Sequence, residues 1–160
     1  PGTRAVLFLL TGLLLIACLW FAIRLVRSKY GRVLTAIRDA ESRVMFCGYN
    51  PFGFKLFIWV VSAMICGLAG ALYVPQVGII NPGEMSAANS IEMAIWVAVG
   101  GRGTLVGPLI GAALVNGAKS WFTVAFAEYW LFFLGALFIG VTLFLPQGVL
   151  GLIARLRGVK

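Results

Sequence analysis

The sequence has no histidine, only five acidic residues and only three cysteines, and each shortage excludes a class of chemistry. Without histidine, the chain lacks the usual proton shuttle and the commonest metal ligand. The cysteines have no paired spacing, which argues against a disulfide framework and against a metal site; they are Cys18, Cys47 and Cys66. An enzyme would need a nucleophile, a base or a metal cluster that this sequence lacks. We therefore predict no catalytic residue, no metal and no cofactor.

The long apolar runs also contain too few carboxylates for a proton relay, so a pump driven by its own protonation is excluded. A nucleotide site is excluded as well, although residues 100–104 are rich in glycine. This stretch lacks the Lys-Ser/Thr pair of a phosphate-binding loop, and Gly101, Gly103 and Gly107 are spaced one residue too far apart for the dinucleotide motif.

What the chain does have is apolar sequence, with 61% hydrophobic and 11% charged residues. This composition is typical of an integral membrane protein, with membrane lipid as a partner. The net charge of +8 does not indicate nucleic-acid binding, because the basic residues lie mostly at the ends of apolar runs. The chain begins at Pro1 without a methionine, so we expect it to be the C-terminal part of a longer polypeptide.

Three apolar runs are long enough to cross a hydrocarbon core of about 30 Å. The first comprises the nineteen uncharged residues between Arg4 and Arg24. The second is 56–77, expected to end near Pro75, and the last is 129–145, ended by Pro146.

Seven of the thirteen basic residues lie between the first two runs, which predicts a cytoplasmic loop; they are Arg24, Arg27, Lys29, Arg32, Arg38, Arg43 and Lys55. Small and apolar residues recur at helical spacing over 33–47, so the loop should contain an amphipathic helix. Gly48 should cap this helix, and Asn50 with Pro51 should stop it. Such a helix suits the docking of a soluble partner, and the alternative is a helix lying in the lipid interface.

The number of membrane crossings in the remaining segment, 91–117, follows from the sides on which its flanking segments lie. Residues 78–90 carry no basic residue and should be outside, whereas the tail with Arg155 and Arg157 should be inside. Because 129–145 crosses once, 91–117 must contribute an even number of crossings. We predict a re-entrant hairpin with a half-helix ending at Gly100, a tip at Arg102 and Gly103, and a returning helix through Ala113. The alternative is two ordinary short spans.

The hairpin supplies the candidate pathway residues Glu92, Gly101, Arg102, Gly103 and Thr104. Glu92 is expected to act as a helix-start charge or to line the pathway. An intramembrane cation must be paired, solvated or functional, so Arg102 should hold Glu92, cap nearby carbonyls or line the pathway.

The same segment has a glycine at every fourth position, which predicts one helix face for close packing; these glycines are Gly103, Gly107 and Gly111.

Several stretches resemble the permease subunits of bacterial ABC importers for branched-chain amino acids and urea. They are Gly31-Arg32-Val33-Leu34-Thr35-Ala36-Ile37-Arg38-Asp39-Ala40-Glu41, Gly48-Tyr49-Asn50, Lys55, Ser62-Ala63 and Gly67-Leu68-Ala69-Gly70-Ala71-Leu72. The resemblance covers nearly the whole chain. Ser42-Arg43-Val44 and Asn81-Pro82-Gly83-Glu84-Met85-Ser86 look more like the urea branch, as do Asn89-Ser90-Ile91-Glu92 and 100–104.

The resemblance implies an all-α, polytopic transmembrane bundle over 1–160, with a cytoplasmic coupling loop at 31–50. It implies partner-coupling roles for Arg38, Asp39 and Glu41, and Arg43 follows them in the same helix. The implied partners are a second homologous permease, two ATP-binding subunits that hydrolyse ATP, and a periplasmic solute-binding protein at the bacterial inner membrane. The expected solute is urea or a related small amide. The alternatives are a branched-chain amino acid permease and a non-transporting assembly subunit.

Overall fold

The computed structural model describes residues 2–158, and every regular element within them is helical. The α-helices are α1 (Gly2–Arg27), α2 (Lys29–Phe46), α3 (Pro51–Val77), α4 (Ala87–Gly100), α5 (Gly107–Ala125), α6 (Trp130–Phe144) and α7 (Gly148–Leu156). Short 3-10 helices at Pro82–Met85 and Ala127–Tyr129 precede α4 and α6. The prediction of an all-α fold is confirmed.

Three helical segments are long and apolar enough to cross a membrane, namely Gly2–Arg27, Pro51–Val77 and Ala127–Phe144. They coincide with the three predicted runs. The second begins earlier than predicted because the Asn50 side chain accepts a hydrogen bond from the Phe52 N–H at 3.1 Å, which caps the new helix. The same helix continues past Pro75 and ends where Gly78 adopts a φ of 85°.

The chain divides into two compact units, the first ending at Ile80 and the second beginning at Asn81. In the first unit, α1 packs against both α2 and α3, and α2 packs against α3. The Gln76 side chain donates a hydrogen bond to the Thr11 hydroxyl, joining α3 to α1. The Tyr30 ring of α2 lies 4.6 Å from the Phe54 ring and 5.0 Å from the Phe57 ring of α3. These contacts hold α2 against the start of α3.

The helix predicted over 33–47 exists but is not continuous. Ala40 has φ −157° and ψ 82°, so extended backbone divides α2 into two helical pieces. Ile37 and Val44, one in each piece, are its buried apolar side chains. Gly48 follows the second piece with φ 86°, the left-handed conformation expected of a helix-ending glycine.

In the second unit, α4 and α5 form an antiparallel pair joined by a short turn, and α6 and α7 pack against α4. The core cluster draws on three helices and consists of Ile95, Val99, Val115, Trp130 and Leu134. α4 has 14 residues and is about 21 Å long, whereas α5 has 19 residues and is about 28 Å long. The returning helix therefore extends twelve residues beyond Ala113, where the sequence had placed its end.

Candidate functional site

A partly buried ion pair joins the two helices of the predicted hairpin. The Lys119 ammonium lies 3.0 Å from each carboxylate oxygen of Glu92. Glu92 is only 7% exposed, and it is the charged residue of the described core. Lys119 also lies 6.0 Å from the centroid of the Trp130 ring. The pair therefore sits against the hydrophobic cluster rather than in bulk water.

Helical spacing explains why these two side chains meet. On α4, Glu92 precedes the core residues Ile95 and Val99 by three and seven positions, so the three share one face. On α5, Lys119 follows Val115 by one turn on the corresponding face. Because α4 and α5 run antiparallel, the start of one helix lies beside the end of the other.

The interpretation of Glu92 as a helix-start charge is wrong. α4 begins at Ala87, so Glu92 lies in the second turn, beyond the region where the helix dipole has most effect. Lys119 neutralises it instead, and the sequence prediction missed this lysine as a site residue. The signal was present, because a lone lysine one turn beyond Val115 must either reach water or find a carboxylate.

Arg102 does not hold Glu92. The side chain of Arg102 is exposed in the turn after α4, and the last residue of that helix, Gly100, is already about 12 Å along the helix axis from Glu92. Among residues 2–158, no carboxylate lies within ion-pair distance of Arg102. Its other two predicted roles, capping carbonyls or lining a pathway, stay predictions.

The tip of the hairpin is a structured turn. The Thr104 hydroxyl donates to the Gly101 carbonyl at 3.1 Å and accepts from the Gly107 N–H at 3.2 Å. Thr104 thereby joins the end of α4 to the first residue of α5. Gly103 has φ 87°, a conformation that residues with a Cβ rarely adopt. The turn thus depends on the hydroxyl of Thr104 and on the glycine at position 103.

The structure places the three glycines of the predicted face in two different elements. Gly103 lies in the turn, outside α5, because the helix begins at Gly107. Gly107 and Gly111 are buried against α4, and a Cβ on Gly111 would collide with the backbone carbonyl of Trp96. Gly100 supplies the matching close approach from α4, where a Cβ would collide with the Gly107 carbonyl. Glycines from both helices therefore allow the two backbones to touch.

The predicted coupling residues lie around the break in α2. The Arg38 Nε donates to the Asp39 carboxylate at 3.3 Å, and their side chains are 71% and 63% exposed. These two charges are therefore available to another molecule. Arg43 is also exposed, on the second helical piece.

Glu41 is engaged differently from its neighbours. Its carboxylate lies 2.7 Å from the ammonium of Lys55 near the start of α3. Glu41 therefore links the second piece of α2 to a membrane-length helix. The sequence had grouped Glu41 with the partner-facing residues and had assigned no contact to Lys55.

An open, largely apolar cleft of about 350 Å³ lies beside the exposed charges of α2. Its lining residues come from both pieces of α2 and the following turn; they are Val33, Ala36, Asp39, Ala40, Arg43, Val44, Cys47 and Tyr49. An apolar cleft rimmed by Asp39 and Arg43 is suited to a protein surface with complementary charge. Within residues 2–158, no cluster of side chains could hold a metal ion.

Comparison with known proteins shows that the chain is similar to transport permeases. Residues 3–142 match the family described as the permease component of branched-chain amino acid transport systems. The chain is 30% identical over 151 residues to the high-affinity branched-chain amino acid transport system permease protein LivM of Salmonella typhimurium. That match covers 94% of this chain and 35% of the relative, and LivM of Escherichia coli matches to the same extent.

More distant relatives have other solutes in their names. The fructose import permease protein FrcC of Rhizobium meliloti is 30% identical over 64% of this chain and 29% of its own length. The autoinducer 2 import system permease protein LsrC of Yersinia pestis is 27% identical over 84% of this chain and 40% of its own length. The chain thus spans about a third of the length of the curated relatives it matches. No solved structure matches it.

Proposed function

Because the chain belongs to the family of permease components of branched-chain amino acid transport systems, we propose that it forms part of the solute pathway of an ATP-driven importer. In this proposal, separate partner subunits hydrolyse ATP, and α2 transmits their motion to the membrane helices. The complex comprises a second homologous permease, two ATP-binding subunits and a periplasmic solute-binding protein. It resides in the bacterial inner membrane, which this chain crosses several times.

The exposed charges of α2 carry the proposal. Arg38 and Asp39 lie at the break in the helix, and Asp39 and Arg43 border the apolar cleft. Exposed charges steer association and set orientation, while the apolar surface supplies area to bury. This combination supports docking of a soluble subunit better than a position in the lipid interface, where the Asp39 carboxylate would lie close to anionic headgroups.

A mechanical connection leads from the docking surface to the membrane. Glu41 is paired with Lys55 of α3, and Tyr30 packs on Phe54 and Phe57 of the same helix. A push on α2 would therefore act on the start of α3 through one ion pair and one aromatic cluster. The extended residue Ala40 lets the second piece of α2 move as a short lever.

Charge reversal tests this coupling role. In the reconstituted importer, Arg38→Glu combined with Asp39→Arg should lower solute-stimulated ATPase activity while the chain still inserts in the membrane. Glu128→Arg is a matched control, because Glu128 is exposed and lies before α6, at the predicted outer end. Wild-type transport by the double reversal, with a normally assembled complex, would refute the coupling role. Wild-type assembly with no transport by any variant, including the unmodified chain, would favour an assembly subunit.

The α4–α5 hairpin is the proposed membrane part of the pathway. The length of α4, about 21 Å, is too short for a hydrocarbon core of about 30 Å, which supports a re-entrant arrangement. Single cysteines at Ser86, Val124 and Arg157, in a background lacking the native cysteines, test it. The first two should be labelled from outside and the third from inside. Labelling of position 124 only from the cytoplasm would rule out the hairpin.

Two classes of solute are candidates, branched-chain amino acids and urea-like amides. The LivM relatives name branched-chain amino acids, whereas residues 81–86 and 100–104 resemble the urea branch. We propose a small, uncharged or zwitterionic nitrogen compound from one of these classes, with urea expected from the sequence. Uptake of labelled urea and labelled leucine by proteoliposomes, with the cognate binding protein present, distinguishes them. Uptake of labelled leucine without uptake of labelled urea would overturn the urea assignment.

A further inference from the structure

The end of α1 carries a basic cleft that the proposed function does not use. It has a volume of about 550 Å³ and is lined by Trp20, Ile23, Arg24, Arg27 and Ser28. The first four of these residues lie on one face of the last two turns of α1, and Ser28 follows that helix as the N-cap of α2. We propose that this cleft binds the phosphate headgroup of an anionic phospholipid.

The charge of the cleft is uncompensated. Among residues 2–158, no carboxylate lies within ion-pair distance of Arg24 or Arg27. Lys29 and Arg32 follow within one turn of α2, whereas the first acidic residue of the chain is Asp39. A cluster of four basic residues beside a membrane span attracts anionic lipid.

The depth of the cleft matches a lipid headgroup. From Arg4 to Arg24, α1 rises about 30 Å, which is the thickness of the hydrocarbon core. The two guanidinium groups of the cleft therefore lie at the level of the phosphates, in the leaflet that the predicted orientation makes cytoplasmic. Trp20 is 60% exposed one turn deeper, at the interface where tryptophan is enriched.

Different side chains of the cleft would contact the polar and the apolar parts of a lipid. The Arg24 guanidinium lies 5.0 Å from the centroid of the Trp20 ring, which orients it, and its planar donors match a phosphate. Trp20 and Ile23 offer apolar surface to the glycerol and the first acyl carbons. The Ser28 hydroxyl contributes shape only, because it donates to the Leu25 carbonyl.

The test measures lipid affinity of the full chain purified in mild detergent, by native mass spectrometry with added phosphatidylglycerol or phosphatidylcholine. Wild type should prefer phosphatidylglycerol. Arg24→Gln combined with Arg27→Gln should bind it about 30-fold more weakly, which corresponds to about 2 kcal/mol for two arginines near anionic lipid. The matched control, Arg155→Gln with Arg157→Gln, removes two arginines from around the end of α7 and should bind as wild type does.

Each other outcome overturns the proposal. Equal loss in the control would mean that net charge, rather than this cleft, attracts the lipid. Displacement of the lipid by inorganic phosphate would identify a site for a free anion. If the Gln variant binds phosphatidylglycerol as wild type does but no longer assembles with its partner subunits, the arginines belong to a protein interface. If the Gln variant does not insert, Arg24→Lys with Arg27→Lys keeps the charge, and unchanged affinity there would refute phosphate recognition by the guanidinium groups.

Discussion

The ion pair between Glu92 and Lys119 makes an asymmetric prediction about stability. Glu92 has a side chain only 9% exposed, whereas that of Lys119 is 41% exposed. Removing the lysine leaves a carboxylate among Ile95, Val99 and Trp130 without a counter-charge, whereas removing the carboxylate leaves an ammonium that can reach water. Lys119→Met should therefore destabilise the chain much more than Glu92→Gln.

The magnitudes follow from the burial of the surviving group. Breaking a buried pair costs roughly 3–5 kcal/mol, and about 3 kcal/mol is expected for Lys119→Met because the pair is partly open to solvent. Glu92→Gln should cost less than about 1 kcal/mol, the range of exposed ion pairs. In the double variant no charge remains unpaired, so its stability should exceed that of Lys119→Met alone.

Thermal unfolding of the full chain in detergent measures the difference. At about 2–4 °C for each kcal/mol, Lys119→Met should lower Tm by about 6–12 °C and Glu92→Gln by less than about 4 °C. The double-mutant cycle should give a coupling energy between the two positions of at least about 1.5 kcal/mol. Equal Tm shifts for the two single variants, or strictly additive shifts in the double variant, would refute the reasoning.

Three further predictions concern the hairpin. Gly111→Leu would drive a side chain into the Trp96 carbonyl and should lower the free energy of unfolding by at least about 1–3 kcal/mol. Gly117→Leu is the control and should be nearly neutral, because Gly117 has open space around it. Equal losses of stability in the two variants would refute the packing face. Thr104→Val removes both hydrogen bonds of the turn and should lower the free energy of unfolding by about 1–2 kcal/mol. Thr104→Ser keeps the hydroxyl and should be as stable as wild type. Equal stability of the two variants would contradict the role of the hydroxyl. Arg102→Gln should change transport without changing assembly of the complex, and full transport would leave Arg102 outside the pathway.

Local patterns were sufficient to predict the three membrane-length helices and α2, but they did not predict α7. Long uncharged runs identified the three membrane-length segments, and the recurrence of small residues identified α2. The errors lie at helix ends, where a single side chain decides. Asn50 caps α3 and moves its start to Pro51, and the helix continues through Pro75 to Val77, so this proline did not mark its end.

Contacts between helices could not be predicted from those patterns. Glu92 was singled out as a carboxylate in an apolar run, yet its partner lies 27 residues away and becomes a neighbour only when α4 and α5 are antiparallel. Glu41 and Lys55 are similarly separated by 14 residues. The break at Ala40 left no mark in the sequence, because alanine is a strong helix former.

The two kinds of basic residue have different roles in this chain. In the part of the chain that the structure describes, lysines make the two ion pairs that join helices, Lys55 with Glu41 and Lys119 with Glu92. Within residues 2–158, no arginine is paired with a carboxylate of another helix, and Arg38 pairs only with its neighbour Asp39. An arginine presents a rigid fork of donors that recognises carboxylates and phosphates on other molecules. Lys55 and Lys119 thus join helices, while the exposed arginines of α1 and α2 stay available for the lipid and partner contacts that we propose.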